Sequence, residues 1–231
     1  MKMTAAISWV AITAVALSLA LVGCGSKTNE KSTTSTTTTT TTTKTSGALA
    51  PRTQNAPGPN PTIASYIQEN GITETSVHRG DPGAPTIDLP VPDGWANAGP
   101  DTPKWAYDTI VYKGPEAADY TPSVIAVVSK LTGNVDAQKI IDLAPGESKN
   151  LNGFTAFGEG RTSELSGFPA YELAGTWVQD GKTKLVAQKT VVIPGSDALY
   201  VLQLNADGLD TQTDIVSTAT NVINDQIKIT P

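Results

Sequence analysis

Few side chains in this sequence are placed to do chemistry. His78 is the only histidine, so any triad, proton relay or imidazole metal site would have to be built on it. It stands in His78-Arg79-Gly80-Asp81-Pro82-Gly83-Ala84-Pro85, a run rich in turn formers. The His78, Arg79, Asp81 trio has the groups for proton transfer or recognition, but such a trio is more often a hydrogen-bonded loop. No Gly-x-Ser-x-Gly elbow, His-x-x-x-His pair, clustered carboxylate loop or phosphate-binding glycine loop is present. Cys24 is the only cysteine, which excludes an intramolecular disulfide or a thiolate metal cluster. The expectation is therefore no catalytic residue, no metal, no cofactor and no enzyme activity. The aromatics offer more, because a flat ring with a polar edge stacks on a sugar face while donating a hydrogen bond. Trp95 and Trp105 lie near loops, where binding groups concentrate, and Tyr107 and Tyr112 follow closely. These four are the candidate ligand-binding residues. The alternative for each is a place in the core, and Trp177, on an alternating strand, reads as structural.

The elements that must position them are legible from residue 60 onward. Thr62 caps a short helix in which Ile63, Tyr66 and Ile67 share a face, and Gly71 suits a left-handed stop. An extended piece covers 72–79. Strands are expected at 86–91 (ended by Pro90), 107–112, 122–131, 154–164, 171–178, 184–193 and 198–204. Pro92-Asp93-Gly94 is a turn delivering Trp95. Val124-Ile125-Ala126-Val127-Val128 is apolar on both faces, which suits a central strand covered on both sides. Asp136 caps a helix carrying Ile140, Ile141 and Leu143, closed by Pro145-Gly146. Asp180-Gly181 between two strand patterns signals a tight hairpin. Ile215, Ala219, Val222 and Ile223 mark a last helix, and Ile227 to Ile229 a terminal strand. Strands joined by hairpins and framed by early, middle and late helices predict an α+β fold: one domain over 60–231, an antiparallel sheet flanked by helices. The roughly 170 residues suffice for a single core.

What precedes residue 60 is of another kind. Residues 1–23 carry one Lys, an apolar stretch from Ala5 to Val22 and small residues at the end, the pattern of a secretory signal peptide. Ser8, Thr13 and Ser18 interrupt the stretch, which is short for a permanent span. Leu21-Val22-Gly23-Cys24 resembles the lipobox of bacterial lipoproteins. The resemblance implies a diacylglyceryl group (palmitate or a similar chain) on the Cys24 thiol and cleavage before it. Two acyl chains, at about 0.8 kcal/mol per buried methylene, hold a protein on a membrane far more firmly than one. Residues 24–59 form a Thr/Ser/Pro-rich tether, with an unbroken Thr run from 36 to 43. Such a composition buries little apolar surface and is expected to be disordered. It also suits O-glycosylation. The formal net charge is −6, and loss of Lys2 with the signal peptide makes it −7. An acidic chain without a basic stripe is a poor partner for nucleic acid.

The segment from His78 to Trp95, HRGDPGAPTIDLPVPDGW, resembles the LpqN/LpqT lipoprotein family of mycobacteria. So do Ser129-Lys130-Leu131-Thr132-Gly133, the run from Ala187 to Pro194 and the run from Val201 to Asp207. The likeness extends over essentially the whole chain. It implies a PsbP-like α/β/α sandwich and a role at the cell envelope. It further implies a trehalose (mycolate) glycolipid ligand and a mycolate exporter as partner. No functional residue is carried over. The expectation is a lipoprotein anchored on the extracytoplasmic side of the cell membrane that binds glycolipid without catalysis. The alternative is a protein-interaction module docking on a transporter or another envelope partner.

Overall fold

The computed structural model describes residues 58–231. The signal-peptide, lipobox and most of the tether expectations, Cys24 included, lie outside these residues.

Thr62 and Ser65 exchange side-chain and backbone hydrogen bonds, a capping box that starts α1 (Ile63–Glu69). Gly71 follows with φ +60 and turns the chain into β1 (Thr73–Val77). The expected strand at 86–91 is β2 (Thr86–Asp88), which stops short of Pro90. Pro92-Asp93-Gly94 does turn, with Trp95 N–H bonded to the Pro92 carbonyl at 3.0 Å, and Trp95 opens β3 (Trp95–Asn97). β4 (Asp108–Tyr112) and β5 (Ser123–Thr132) come next. The Asp136 carboxylate accepts from the backbone of Gln138 and Lys139 and starts α2 (Ala137–Leu143). Pro145-Gly146 ends it, but a further turn, α3 (Gly146–Lys149), follows at once. That turn was not anticipated. Pro145 suits the start of a helix as well as the end of one. A Cβ on Gly146 would lie 2.0 Å from the Pro61 carbonyl oxygen, so a glycine lets the start of the fold pack there.

The single strand expected over 154–164 is a correction. It is two strands, β6 (Thr155–Ala156) and β7 (Arg161–Leu165), parted by Gly158-Glu159-Gly160. Gly160 has φ +78, and a Cβ there would meet the Tyr171 hydroxyl at 2.5 Å and the Glu172 carbonyl at 2.9 Å. The chain must therefore leave the ladder at this point. β8 (Phe168–Gln179) and β9 (Lys182–Pro194) are joined at Asp180-Gly181, both with positive φ, as the Asp-Gly signal predicts. β10 (Leu199–Leu209) runs five residues past the expected end. α4 (Thr213–Gln226) and β11 (Lys228–Thr230) finish the chain. The buried stripe of α4 is Val216, Ala219 and Ile223, slightly rotated from the expected one.

Nine of these strands form one sheet, in the order β3-β4-β5-β10-β9-β8-β6, with β1 also on β5 and β7 also on β8. Every pairing is antiparallel. β2 and β11 make a separate two-stranded ribbon. Side chains alternate between faces along each strand. One face carries Val124, Leu202, Leu204 and Ala206, packed with Val216, Ala219 and Ile223 of α4 and with Ile87 and Ile229 of the ribbon. The other carries Leu131, Val192 and Val201 beneath Ile63 of α1 and Ile140 and Ile141 of α2. This is an α+β domain with helices on both faces of an antiparallel sheet. Val124 to Val128 of β5, apolar on both faces, are all buried, as the sequence predicts.

Two polar features close the layers. Lys184 is 4% exposed, and its ammonium meets Asp207 at 2.8 Å, the Tyr120 hydroxyl at 2.7 Å and Gln179 at 3.1 Å. A buried cation needs such a full set of acceptors. At the start of the fold, Asn150 clasps Asn60: its Oδ1 accepts from the Asn60 backbone and side-chain amides at 3.0 and 2.9 Å, and its Nδ2 donates to the Asn60 carbonyl at 2.9 Å.

Candidate functional site

The strand register builds one groove from small residues. Across the α4 face, Val124, Ala206, Ala187 and Ala174 are direct neighbours on β5, β10, β9 and β8. Two residues along, on the same face, come Leu204, Lys189 and Glu172. Three alanines in a row leave α4 unable to close on the sheet. The result is a groove of about 540 Å³ between the sheet, α4 and the loop from Phe157 to Gly160. Its floor is apolar. Ile223 forms one wall, and Phe157, 60% exposed, stands on the rim. The volume lies within the few-hundred Å³ range of ligand pockets.

The far end is polar. Lys189 Nζ is 2.7 Å from both Glu172 Oε2 and Asn224 Oδ1, tying the sheet to α4. The Arg161 guanidinium binds the other oxygen of Glu172. Burial pushes the Glu172 carboxyl up, but the hydrogen bonds from Lys189 and Arg161 outweigh it and hold the group below its ordinary value. Thr220, Asn221 and Asn224 add a hydroxyl and two amides from α4. The end thus offers donors and acceptors side by side, the set that hydroxyl-rich ligands use. It lacks a nucleophile beside a base.

The four sequence candidates do not share this groove. Trp95 is 8% exposed and Tyr107 5%, both inside the core under α4 and the ribbon. Trp95 packs edge-on to Tyr112, with ring centroids 5.8 Å apart. The Tyr107 hydroxyl accepts the Ile87 backbone amide at 3.1 Å. Tyr112 is half-buried, donates to Glu116 at 2.8 Å and borders a separate shallow cleft. Trp105 lines a cleft on the opposite face of the sheet. Phe157, Lys189 and Glu172 were missed. The available signal was a lysine in the middle of an apolar strand, aligned with alanines in its neighbours.

His78 and its neighbours form a staple. Nε2 faces the Lys104 carbonyl at 2.9 Å, and because a carbonyl only accepts, Nε2 carries the proton there. The His78 backbone amide donates to Asp81 at 2.8 Å. Arg79 pairs with Asp108 and lies over the Tyr107 ring, 5.2 Å from its centroid. These bonds fasten the end of β1 to the start of β4.

Comparison with known proteins places this architecture. The family described as "Probable lipoprotein LpqN" matches residues 59–230. The chain belongs to the LpqN lipoprotein family. Lipoprotein LpqN of Mycobacterium tuberculosis is 51% identical over 223 residues, covering 96% of this chain and 97% of that protein. The crystal structure of LpqN, described as involved in cell envelope biogenesis of Mycobacterium tuberculosis, superposes with a TM-score of 0.72. It covers 75% of this chain and 100% of that one, at 51% identity. A solution structure of cyanobacterial PsbP from Synechocystis sp. PCC 6803 is 11% identical, with a TM-score of 0.38, covering 68% of this chain and 92% of that one. LpqN is named there as a lipoprotein involved in cell envelope biogenesis, not for an enzymatic activity. Among the described residues of this LpqN-family chain, no helix is long and apolar enough to cross a membrane. No group of three or more His, Cys, Asp or Glu among them is placed to hold a metal.

Proposed function

We propose that this chain is a lipoprotein of the cell envelope, anchored through Cys24 on the extracytoplasmic side of the membrane, that binds an amphiphilic glycolipid without transforming it. The observation that carries the reading is the groove between α4 and the sheet: an alanine-paved floor that suits an acyl chain, leading to a polar end at Glu172, Lys189 and Asn224 that suits sugar hydroxyls. Burying about eight methylenes on such a floor contributes on the order of 6 kcal/mol before the costs of ordering the ligand. The envelope role described for the LpqN structure of Mycobacterium tuberculosis supports the setting. The sequence resemblance makes a trehalose mycolate the first ligand class to test, and a mycolate exporter the partner to look for.

Titration calorimetry of residues 58–231 with a trehalose monoester tests this. Saturable binding is the expected result, with free trehalose at least about tenfold weaker for want of the chain. Ala187→Phe fills the floor, and its affinity should fall by a similar factor while the unfolding temperature changes little. No binding at millimolar ligand, or unaltered affinity in the Phe variant, removes the groove as the site. The second reading, a docking module for an envelope protein, draws on Phe157, a large apolar ring left exposed on the rim.

A further inference from the structure

The groove between α4 and the sheet reaches the outside at an edge. β6 and β7 share the outer edge of β8, and among the described residues no strand lies beyond them. The chain between them, Phe157 to Gly160, stands along the groove with Arg161, the first residue of β7. Two bonds fix it. The Phe157 amide donates to the Ala174 carbonyl at 2.9 Å, and the Tyr171 hydroxyl donates to the Glu159 carbonyl at 3.0 Å. The apex between them is uncovered, since a Cβ on Gly158 would have nothing within 4 Å. Phe157 is thus held out at the rim, and it is the most exposed of the large apolar side chains among the described residues.

Size and charge say what covers that ring. Val178 of β8 is the other large apolar side chain exposed on this edge, and the two together expose on the order of 200 Å². A stable protein interface takes roughly 800 Å² from each partner. One ring among glycines and polar residues falls short of that. It fits the boundary between headgroups and acyl chains, where the apolar side chains of surface-bound segments sit. The flanking charges are opposite. Glu159 and Arg161 are both exposed, one on each side of Gly160. Arg161 meets Glu172 through Nε, which leaves its terminal nitrogens for an outside acceptor. A layer of zwitterionic headgroups offers a phosphate to the guanidinium and an ammonium to the carboxylate. An anionic layer repels Glu159 as it attracts Arg161.

We infer that the loop from Phe157 to Gly160 is a docking lip for a zwitterionic lipid surface, with the Phe157 ring entering at the headgroup level. What passes over the lip rests on the glycolipid reading: an amphiphile leaving the bilayer beside Phe157 reaches the alanine floor with its chain sheltered from water. Docking itself needs no ligand. A single ring holds a free protein on lipid only weakly. With the chain held at Cys24 as proposed, the contact is intramolecular, and a weak contact is then well populated. A protein seated on the same ring would stand across the rim instead of feeding it.

The mature, lipidated chain in glycolipid-free phosphatidylcholine nanodiscs, labelled with 4-fluorophenylalanine, carries three reporters: Phe154, Phe157 and Phe168. Phe157→Ser assigns the Phe157 signal, and the other two, from half-buried rings, certify the fold of each variant. Val91→Phe adds a control ring at an exposed site four residues before β3, the strand at the opposite end of the sheet order from β6. Lipid spin-labelled just below the headgroups (5-doxyl-phosphatidylcholine) should broaden the Phe157 signal to loss and leave the Phe154, Phe168 and control signals sharp. Exchanging part of the phosphatidylcholine for phosphatidylglycerol should not strengthen the effect. A Phe157 signal that stays sharp beside the spin label overturns the proposal and leaves the ring to a protein partner. Equal broadening of the control ring overturns it too, because collision with the bilayer is then unspecific. Broadening that appears only with phosphatidylglycerol overturns the choice of a zwitterionic surface. The nanodiscs hold no glycolipid, so a failed glycolipid titration would leave this result standing. A sharp Phe157 signal beside a successful titration would remove the lip and keep the groove.

Discussion

Glu172 of β8 joins three strands through one carboxylate, with Lys189 of β9 on one oxygen and Arg161 of β7 on the other. Because its folded pKa is held below the unfolded value of about 4.3, its contribution to stability is present above that pH and is lost as pH falls through the folded value. The expected outcome is a urea midpoint that drops between about pH 5 and 3 in the native chain and drops less in Glu172→Gln. Parallel curves would show that the cluster adds nothing to acid stability. At this scale the sequence was a partial guide. Trp95 and Tyr107 advertise binding chemistry, yet the sheet folds them inward, since a ring beside a loop fills a core as readily as it stacks on a ligand. Lys189 advertised nothing by itself. Its meaning came from Glu172 opposite and Asn224 above, and those distances exist only once the strands are in register.

The elements were far more legible. Thr62 and Asp136 as caps, Asp180-Gly181 as a hairpin and the double-sided apolar run of β5 all follow from local rules, and all are present. The break between β6 and β7 was not, because it depends on the Tyr171 ring crowding Gly160 from a neighbouring strand. The groove was hidden for a similar reason. Ala174, Ala187 and Ala206 are unremarkable on three separate strands and become a floor only when side by side. α4 holds the roof over them through Val216, Ala219 and Ile223. Ile223→Ala, at a site 2% exposed, should cost about 2–5 kcal/mol in urea unfolding, the range for large-to-small core changes. A cost near the low end would mean that α4 settles toward the alanine floor. In that case glycolipid affinity should fall with it, and a near-neutral change would show that Ile223 does not hold the helix.

For the whole molecule, the anchor proposed above is Cys24. Cys24→Ser should move the protein from the carbonate-resistant membrane fraction to the soluble one, without altering the spectrum or unfolding of residues 58–231. A variant that stays with the membrane would mean that another part of the chain holds it there. The clasp between Asn60 and Asn150 bears on the same arrangement. Among the described residues, Asn60 stands two residues before the Thr62 cap of α1, where a pull from the N-terminal side would be met. Three hydrogen bonds to one side chain meet that load together, and they pass it to α3 and the sheet behind it. With the chain held at Cys24 as proposed, the joint works as a cleat, so that drag on the tether is taken up before it can unwind α1.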